Sequence, residues 1–271
     1  MTFGPLVDGG WLRAALGEPD LRVIDCRWKL GQPGAGRAAY LEGHIPGAAF
    51  LDLDTQLSDP PGERGRHPLP EPARFERAAR AAGISGDSRV VTYDEAGDGG
   101  AARLWWLLRH FGHDAVAVLD GGLSAWREEG GALEPGAHEP APGDFAVRER
   151  QGDTADAEEI ERGSLTLVDA RARERYGGEI EPIDPMAGHI PGAHNAPFAE
   201  LAPGGRYLPP AELRARLEPQ SGGEVVAYCG SGVSACTVVL AAELAGLPAR
   251  LYPGSWSEWC ARGGEVESAK S

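Results

Sequence analysis

Four sequence blocks occur twice in this 271-residue chain, in the same order, and this internal repeat constrains the fold more than any other feature. The matching blocks are 21–28 with 165–172, 42–50 with 187–195, 89–97 with 224–232, and 118–131 with 250–264. Chance does not explain a shared order of four blocks, and the repeating unit is far too long for a solenoid. The sequence therefore predicts two homologous domains.

The stretch between the two halves reads as a linker. Residues 134–150 are rich in Pro, Gly and charge and have little apolar periodicity, which is typical of a connecting segment. We predict a first domain over 1–138, a linker over 139–150 and a second domain over 151–271.

Short apolar runs without strict alternation occur three times in each half, as expected for strands that are buried on both faces. They are 21–25, 89–94, 115–120, 165–170, 224–229 and 249–252. Helix-like stretches lie between them, at 72–83, 103–112, 210–220 and 235–246. Two of these begin with a proline and two end at a glycine, both common at helix termini. The alternation predicts an α/β fold, in which each half is a mainly parallel sheet flanked by helices.

Charge and cysteine content narrow the choice of partners and compartment. Acidic residues outnumber basic ones by 41 to 26, which gives a net charge of −15. We therefore expect no nucleic-acid and no membrane partner, because both need a cationic surface. The four cysteines form no CxxC pair and are too few for a disulfide scaffold. With no membrane span or signal peptide in the sequence, we expect a cytoplasmic protein, and a monomer because two packed domains need no partner.

One cysteine is placed unlike the others. Cys229 ends an apolar run and is followed by two glycines and two serines within five residues. In parallel sheets, ligands bind at the carboxyl ends of the strands. Gly230 and Gly232 allow the backbone to curl, so that N–H groups and the next helix N-terminus form an anion cradle. This setting favours a nucleophilic thiolate, and Asp94 at the matching place in the first half shows that the fold does not require a cysteine there.

The segment CGSGVSA, residues 229–235, resembles the active-site loop of the rhodanese-type sulfurtransferases, and especially of those that use 3-mercaptopyruvate. The paired DxR and GHIPGA motifs and the tryptophan-rich ends GGLSAW and GSWSEW are also rhodanese features. The resemblance covers roughly residues 5–264. It implies two rhodanese-like domains, of which the first is catalytically silent and the second carries the catalytic Cys229.

The resemblance also implies a substrate site. Arg175 matches a family arginine that binds the substrate anion, whereas Ile183 stands where 3-mercaptopyruvate enzymes often carry a second arginine. That departure leaves the donor open between 3-mercaptopyruvate and thiosulfate. The loop residues expected to bind the substrate are Gly230, Ser231, Gly232, Val233 and Ser234.

A catalytic relay is implied in the same way. Ser231 matches a family serine that acts with a histidine and an aspartate from the first half. His67 and Asp54 are the candidates, and Asp52 is a competing choice for the aspartate. Other polar residues occur at matching places in both halves and are therefore expected to be structural: His44 with His189, and the pairs Asp25–Arg27 and Asp169–Arg171.

These observations predict a sulfurtransferase that moves a sulfane sulfur from a small anionic donor to an acceptor through a Cys229 persulfide. The acceptor would be cyanide or a thiol, with reduced thioredoxin as a candidate. The sequence has no Cys/His cluster, P-loop or GxGxxG motif, so no metal or organic cofactor is expected. A non-catalytic sulfur carrier is the alternative. A cysteine phosphatase is disfavoured, because Ala235 stands where its CxxxxxR motif needs an arginine.

Overall fold

The computed structural model describes residues 3–163, 165–218 and 224–268. The chain divides into two compact units that follow the sequence repeat closely. The first unit contains residues up to 59, then 70–150 and 204–206, and the second contains 60–69 and the remaining residues beyond 150. Residues 139–150, expected as a linker, therefore cluster with the first unit, and segment 60–69 of the first half belongs to the second.

Five parallel strands form the sheet of the first unit, in the order β1-β5-β4-β2-β3. They are β1 Leu6–Val7, β2 Leu21–Asp25, β3 Ala49–Phe50, β4 Arg89–Tyr93 and β5 Val116–Leu119. The neighbouring strands β2 and β4 pair with Val23 opposite Val91, and both side chains are buried. Burial on both faces explains why these runs do not alternate with polar residues.

The described helices of the first unit are α1 Gly9–Ala15, α2 Ala35–Glu42, α3 Pro72–Ala81, α4 Gly100–His110 and α5 Gly122–Glu128. Helix α3 starts at Pro72 as predicted, since proline in the first turn loses no helical hydrogen bond. Helix α4 starts three residues before its predicted start at Arg103. Trp126 of α5 lies in a buried cluster with Leu12 and Val91, so the tryptophan near the end of the repeat is a core residue.

Four parallel strands form the sheet of the second unit, in the order β7-β6-β8-β9. They are β6 Thr166–Asp169, β7 His194–Asn195, β8 Val225–Tyr228 and β9 Ala249–Leu251. The order β7-β6-β8-β9 corresponds to β3-β2-β4-β5 of the first sheet. The two parallel sheets with their helices confirm the predicted α/β class.

The described helices of the second unit are α6 Ala157–Glu161, α7 Arg173–Tyr176, α8 Phe198–Leu201, α9 Pro210–Leu217, α10 Ala235–Leu244 and α11 Ser255–Ala261. A 3₁₀ turn, Pro203–Gly205, lies between α8 and α9. The predicted end of α9 at residues 219–220 lies outside the described residues. Trp256 and Trp259 of α11 are in the core. Among the helices described, none has the length and apolar character that a membrane crossing requires.

Each unit holds one buried arginine in the same way. Arg27 pairs with Asp25 at 2.7 Å, and Arg171 pairs with Asp169 at 2.6 Å. Each guanidinium also donates to the carbonyl oxygen of the glycine that opens the GHIPGA motif, at 2.8 and 2.7 Å. The aspartates at the ends of β2 and β6 therefore orient these arginines, as predicted.

The two GHIPGA histidines are equivalent as well. Nδ1 of His44 lies 3.0 Å from the Tyr40 carbonyl oxygen, and Nδ1 of His189 lies 2.8 Å from the Tyr176 carbonyl oxygen. Each imidazole stacks on the ring of that same tyrosine, at centroid distances of 4.1 and 3.8 Å. Because both units use the histidine identically, its role is in packing, as predicted.

Candidate active site

The loop that carries the candidate nucleophile joins β8 to α10 at the carboxyl end of the second sheet. The strand before it is buried over all four residues. Within the loop, Val233 is buried and Ser234 is half-buried next to the start of α10. Parallel sheets present their ligands at this edge, so Cys229 lies where the sequence predicted a site.

The Cys229 side chain is enclosed by its own loop. The residue is 2% exposed, and its Sγ accepts a hydrogen bond from the Gly232 N–H at 3.1 Å. Gly232 has φ +79°, and a Cβ there would lie 2.3 Å from the carbonyl oxygen of Pro253. Only glycine satisfies both constraints. The turn that glycine permits aims a backbone N–H at the sulfur, where it stabilises negative charge.

The start of α11 holds the cysteine loop by three hydrogen bonds. Ser255 Oγ accepts from the Cys229 N–H at 3.1 Å and donates to the Tyr252 carbonyl oxygen at 2.9 Å. The N–H of Trp256 donates to the Cys229 carbonyl oxygen, and the N–H of Ser257 donates to that of Gly230. Sequence reasoning missed Ser255, although it identified the surrounding GSWSEW motif.

Two residues of the predicted relay are in contact. His67 Nδ1 lies 2.7 Å from Ser231 Oγ, and both residues are buried. Which atom donates depends on the histidine tautomer. His67 belongs to segment 60–69, which clusters with the second unit, so this contact lies within that unit.

The aspartates proposed for the relay lie in the first unit. Asp54 is an exposed residue of the turn over 53–56, and partial desolvation with the nearby Asp52 carboxylate raises its pKa. Asp52 instead stabilises that turn, since its carboxylate accepts from the N–H and hydroxyl of Thr55 at 2.9 and 2.8 Å. This local role favours Asp54 over Asp52, and its pairing with His67 stays a prediction.

Arg175 of α7 lies beside the cysteine loop. Its Nη1 and Nη2 are 3.5 and 3.6 Å from the place that a Cβ on Gly230 would take. Its Nη2 pairs with Glu181 at 2.7 Å and with Asp184 at 3.1 Å. The side chain is 17% exposed. The structure therefore brings the predicted anion-binding arginine to the cysteine loop.

The carboxylate of Glu181 holds two arginines. It pairs with Arg171 at 3.3 Å as well as with Arg175. Burial would raise the pKa of Glu181, but the N–H of Asp184 and the Arg175 guanidinium lower that pKa by more, so it lies below its ordinary value. Glu181 is therefore ionised at neutral pH and orients Arg175.

Sequence reasoning missed a second arginine at this loop. Arg66 Nη2 lies 3.0 Å from the Cβ position of Gly230, and its Nη1 pairs with Asp184 at 2.5 Å. Ile183, at the place where relatives often have the second arginine, is 41% exposed. The sequence contained one indication that Arg66 lies near this loop: it directly precedes His67, which was selected as a relay residue.

The matching loop of the first unit carries its own anion. Asp94 is buried, and its carboxylate accepts from the N–H groups of Gly97, Gly99 and Ala101 at 2.7, 3.0 and 3.2 Å. Burial raises the pKa of Asp94, and these three hydrogen bonds oppose the rise. In the first unit, the backbone N–H groups of this loop therefore bind the carboxylate of Asp94.

The other cysteines are packing residues. Cys26, Cys236 and Cys260 are buried, and the Cys236 thiol donates to the Gly232 carbonyl oxygen at 3.4 Å. Burial raises the pKa of Cys26 strongly and that of Cys260 to about 11, which keeps both as thiols. In the part of the chain that the structure describes, no group of three His, Cys, Asp or Glu side chains could hold a metal ion.

Comparison with known proteins defines the class. The sequence profile of the rhodanese-like domain matches this chain twice, over residues 8–129 and 155–262. The chain belongs to the rhodanese-like family, with two copies of the domain. The family resemblance predicted from the sequence is confirmed.

Relatives narrow the class to the sulfurtransferases. A Pseudomonas aeruginosa protein named as a 3-mercaptopyruvate sulfurtransferase is 48% identical over 96% of each chain. A Mycobacterium tuberculosis protein named as a thiosulfate sulfurtransferase, SseB, is 46% identical over 90% of this chain and 88% of its own. The solved structure of SseA, a 3-mercaptopyruvate sulfurtransferase from Escherichia coli, matches with a TM-score of 0.83 at 34% identity, over 93% of this chain and 99% of that one. The predicted enzyme class is thereby confirmed.

Proposed function

We propose that this protein moves a sulfane sulfur from 3-mercaptopyruvate, or from thiosulfate, to cyanide or a thiol through a persulfide on Cys229. The observation that carries the proposal is the Gly232 N–H, which lies 3.1 Å from Cys229 Sγ in the loop that enters α10. A donor fixed at this distance stabilises the attacking thiolate, and the loop backbone would then hold the persulfide anion.

With 3-mercaptopyruvate, the Cys229 thiolate attacks the substrate sulfur, and the carbon–sulfur bond breaks. The bonding electron pair leaves on carbon as the enolate of pyruvate. The proton that the substrate thiol loses is returned to that carbon, so the products are pyruvate and the Cys229 persulfide anion. Only this donor needs a proton delivered to its leaving group.

With thiosulfate, the same attack breaks the sulfur–sulfur bond and releases sulfite with its electron pair. In either case, a second nucleophile then attacks the outer sulfur of the persulfide and regenerates the Cys229 thiolate. Cyanide leaves as thiocyanate and a thiol leaves as its persulfide, and reduced thioredoxin offers such a thiol. Two separate half-reactions through one covalent intermediate predict ping-pong kinetics.

The buried Ser231–His67 contact at 2.7 Å supports 3-mercaptopyruvate as the preferred donor. A hydroxyl and an imidazole in contact can deliver a proton to the enolate, whereas departing sulfite needs none. The relative named SseB supports thiosulfate as the second donor. Arg175 would hold the carboxylate or sulfonate of either donor by charge-assisted hydrogen bonds.

Two other functions use the same loop. A sulfur carrier would accept a persulfide on Cys229 without turnover. A phosphatase would need a cation at the sixth position after the cysteine, where the buried Ala235 offers no charge. The contact between Ser231 and His67 supports a catalyst over both, because neither a carrier nor a phosphatase requires a proton relay to a carbon leaving group.

The test compares the wild type with Cys229→Ser, using each donor in parallel with cyanide and measuring thiocyanate. We expect the variant to lose at least about 10³-fold in turnover, because the nucleophile is removed. Cys260→Ser is the matched control, since it removes another buried thiol of the same unit and should retain turnover. Turnover that persists in Cys229→Ser would refute the persulfide route, and a wild type that is persulfidated but does not turn over would identify a carrier.

A further inference from the structure

The helix that holds the cysteine loop begins in an unusual backbone conformation. Ser255, the first residue of α11, has φ +53°, and in the part of the chain that the structure describes it is the one non-glycine residue with a positive φ. This left-handed region is unfavourable for a residue with a Cβ, because the Cβ crowds a backbone carbonyl oxygen. Such strain persists where the surrounding structure enforces it, and often where it serves a function.

The first unit builds the same junction with a glycine. Gly122 stands at the matching place, as the first residue of α5, and has φ +60°. The N–H groups of the next two residues donate to the carbonyl oxygens of Asp94 and Glu95, at 2.9 Å each. The two residues after Ser255 make the corresponding bonds to the cysteine loop, at 3.0 and 2.9 Å. The fold therefore forms this junction without a side chain at the first helical residue.

The two junctions differ in the space that they leave for a side chain. A Cβ on Gly122 would lie 2.6 Å from the Asp94 carbonyl oxygen and 2.8 Å from that of Glu95. The first unit therefore excludes a serine at this place unless its loop shifts. In the second unit, the loop accommodates the whole Ser255 side chain, which is 0% exposed.

The hydroxyl of Ser255 makes two contacts that a glycine cannot make. Its Oγ accepts from the Cys229 N–H at 3.1 Å and donates to the Tyr252 carbonyl oxygen at 2.9 Å. Because this N–H is buried, removal of the hydroxyl would leave it without an acceptor. The Trp256 N–H holds the Cys229 carbonyl oxygen at 3.0 Å. The residue that carries the nucleophilic sulfur is thus held at both of its backbone groups.

We infer that Ser255 is a positioning residue for the nucleophile, whose hydroxyl fixes the Cys229 backbone so that Sγ stays within reach of the Gly232 N–H. The second unit has a strained serine at this place because its loop carries a reacting sulfur, whereas the Asp94 carboxylate of the first unit only binds its own loop. Displacement of a reacting atom by about 1 Å can slow a reaction about 100-fold. The inference rests on the proposed function, since it explains how the nucleophile of that function is oriented.

The experiment compares Ser255→Gly and Ser255→Ala with a matched control, Ser88→Gly. Ser88 is a buried serine of the first unit, and its Oγ also accepts a backbone N–H, that of Ser85 at 3.0 Å. Three quantities are measured for each variant and for the wild type. They are kcat for thiocyanate formation with each donor, the rate of Cys229 alkylation by iodoacetamide at pH 7, followed by mass spectrometry, and the urea concentration at half-unfolding.

We expect both Ser255 variants to lose at least about tenfold in kcat, by the same factor with thiosulfate and 3-mercaptopyruvate, because both donors meet the same sulfur. Alkylation of Cys229 should slow at least about threefold, since the sulfur loses a donor that stabilises its negative charge. Ser255→Gly should unfold at a higher urea concentration than Ser255→Ala, because glycine relieves the strain that alanine retains. Ser88→Gly should unfold at a lower urea concentration than the wild type and keep kcat within about twofold.

A Ser255→Gly protein with the wild-type kcat and alkylation rate would overturn the inference. Losses in kcat that follow the urea midpoints across the three variants would also overturn it, because the hydroxyl would then contribute to stability alone. A wild type without turnover would refute the proposed function. The alkylation rates would still show whether Ser255 positions Cys229, so the two failures are distinguishable.

Discussion

The cysteine loop and the matching loop of the first unit carry different side chains, Cys229 and Asp94, at the same position. In the second unit, the Gly232 N–H donates to a thiol sulfur, and in the first unit three N–H groups donate to the Asp94 carboxylate. Both loops therefore stabilise negative charge. Only the sulfur can act as a nucleophile toward a sulfur donor and later release its product.

The contact between Ser231 and His67 leads to a test with the two donors. Ser231→Ala should lower kcat with 3-mercaptopyruvate by at least about tenfold and with thiosulfate by less than about threefold, because only the enolate needs a proton. His67→Asn and the double variant complete the cycle, measured by pyruvate and sulfite release. If the two residues act as one relay, the double variant is no slower than the slower single variant. Additive losses, or equal losses with both donors, would contradict the relay.

Sequence alone selected Cys229, Ser231, His67 and Arg175, which lie in or next to the cysteine loop, but not Arg66, which also lies there. The first four stand in recognisable motifs, so their chemistry could be assigned before their positions were known. Arg66 lies more than 160 residues from the loop in sequence, as does its neighbour His67, whose separation from Ser231 is 164. Only the fold of segment 60–69 shows which arginine of that region reaches Gly230.

At the scale of elements, prediction depended on strand length. The strands β2, β4, β5, β6, β8 and β9 were found from their apolar runs. The three two-residue strands, β1, β3 and β7, were missed. A strand this short has no period that a pattern can register, and it forms because a longer neighbour offers its edge. Turn glycines are easier to place, since a positive φ restricts the residue type.

Two glycines allow the cost of backbone strain to be measured apart from the cost of a steric clash. Gly232 and Gly192 have similar φ values of +79° and +75°, but a Cβ would collide with the Pro253 carbonyl oxygen at Gly232 and meet nothing within 4 Å at Gly192. We expect Gly192→Ala to lower the free energy of unfolding by about 1 kcal/mol and Gly232→Ala by about 3 kcal/mol.

Activity should distinguish these two variants further. Gly232→Ala would move the N–H away from Cys229 Sγ and reduce turnover at least about 100-fold, whereas Gly192→Ala should retain it. Urea unfolding and cyanide-dependent turnover measure the two effects. Equal unfolding free energies for the two variants would show that the Pro253 contact relaxes without cost.

Over the whole molecule, the net charge of −15 acts on an anionic donor before it reaches the loop. The two arginines beside Gly230 offer little compensating field, because Asp184 and Glu181 pair with them. Net repulsion should therefore slow donor association at low ionic strength, and salt should screen it.

Steady-state kinetics test this repulsion with an internal control. Raising ionic strength from about 10 mM to about 150 mM should raise kcat/KM for thiosulfate about twofold, since the Debye length falls about fourfold. In a ping-pong reaction, kcat/KM for a neutral thiol such as 2-mercaptoethanol reports only the second half-reaction and should not change. A donor value that falls with salt would show that the local arginines outweigh the net charge.

Segment 60–69 belongs to the second unit, and this limits where the coding sequence can be cut to give two separate domains. The sequence repeat would place a cut in the predicted linker, 139–150, but that cut would leave His67 and Arg66 with the other fragment. A half-gene that begins after the cut encodes the Cys229 loop without the imidazole that contacts Ser231.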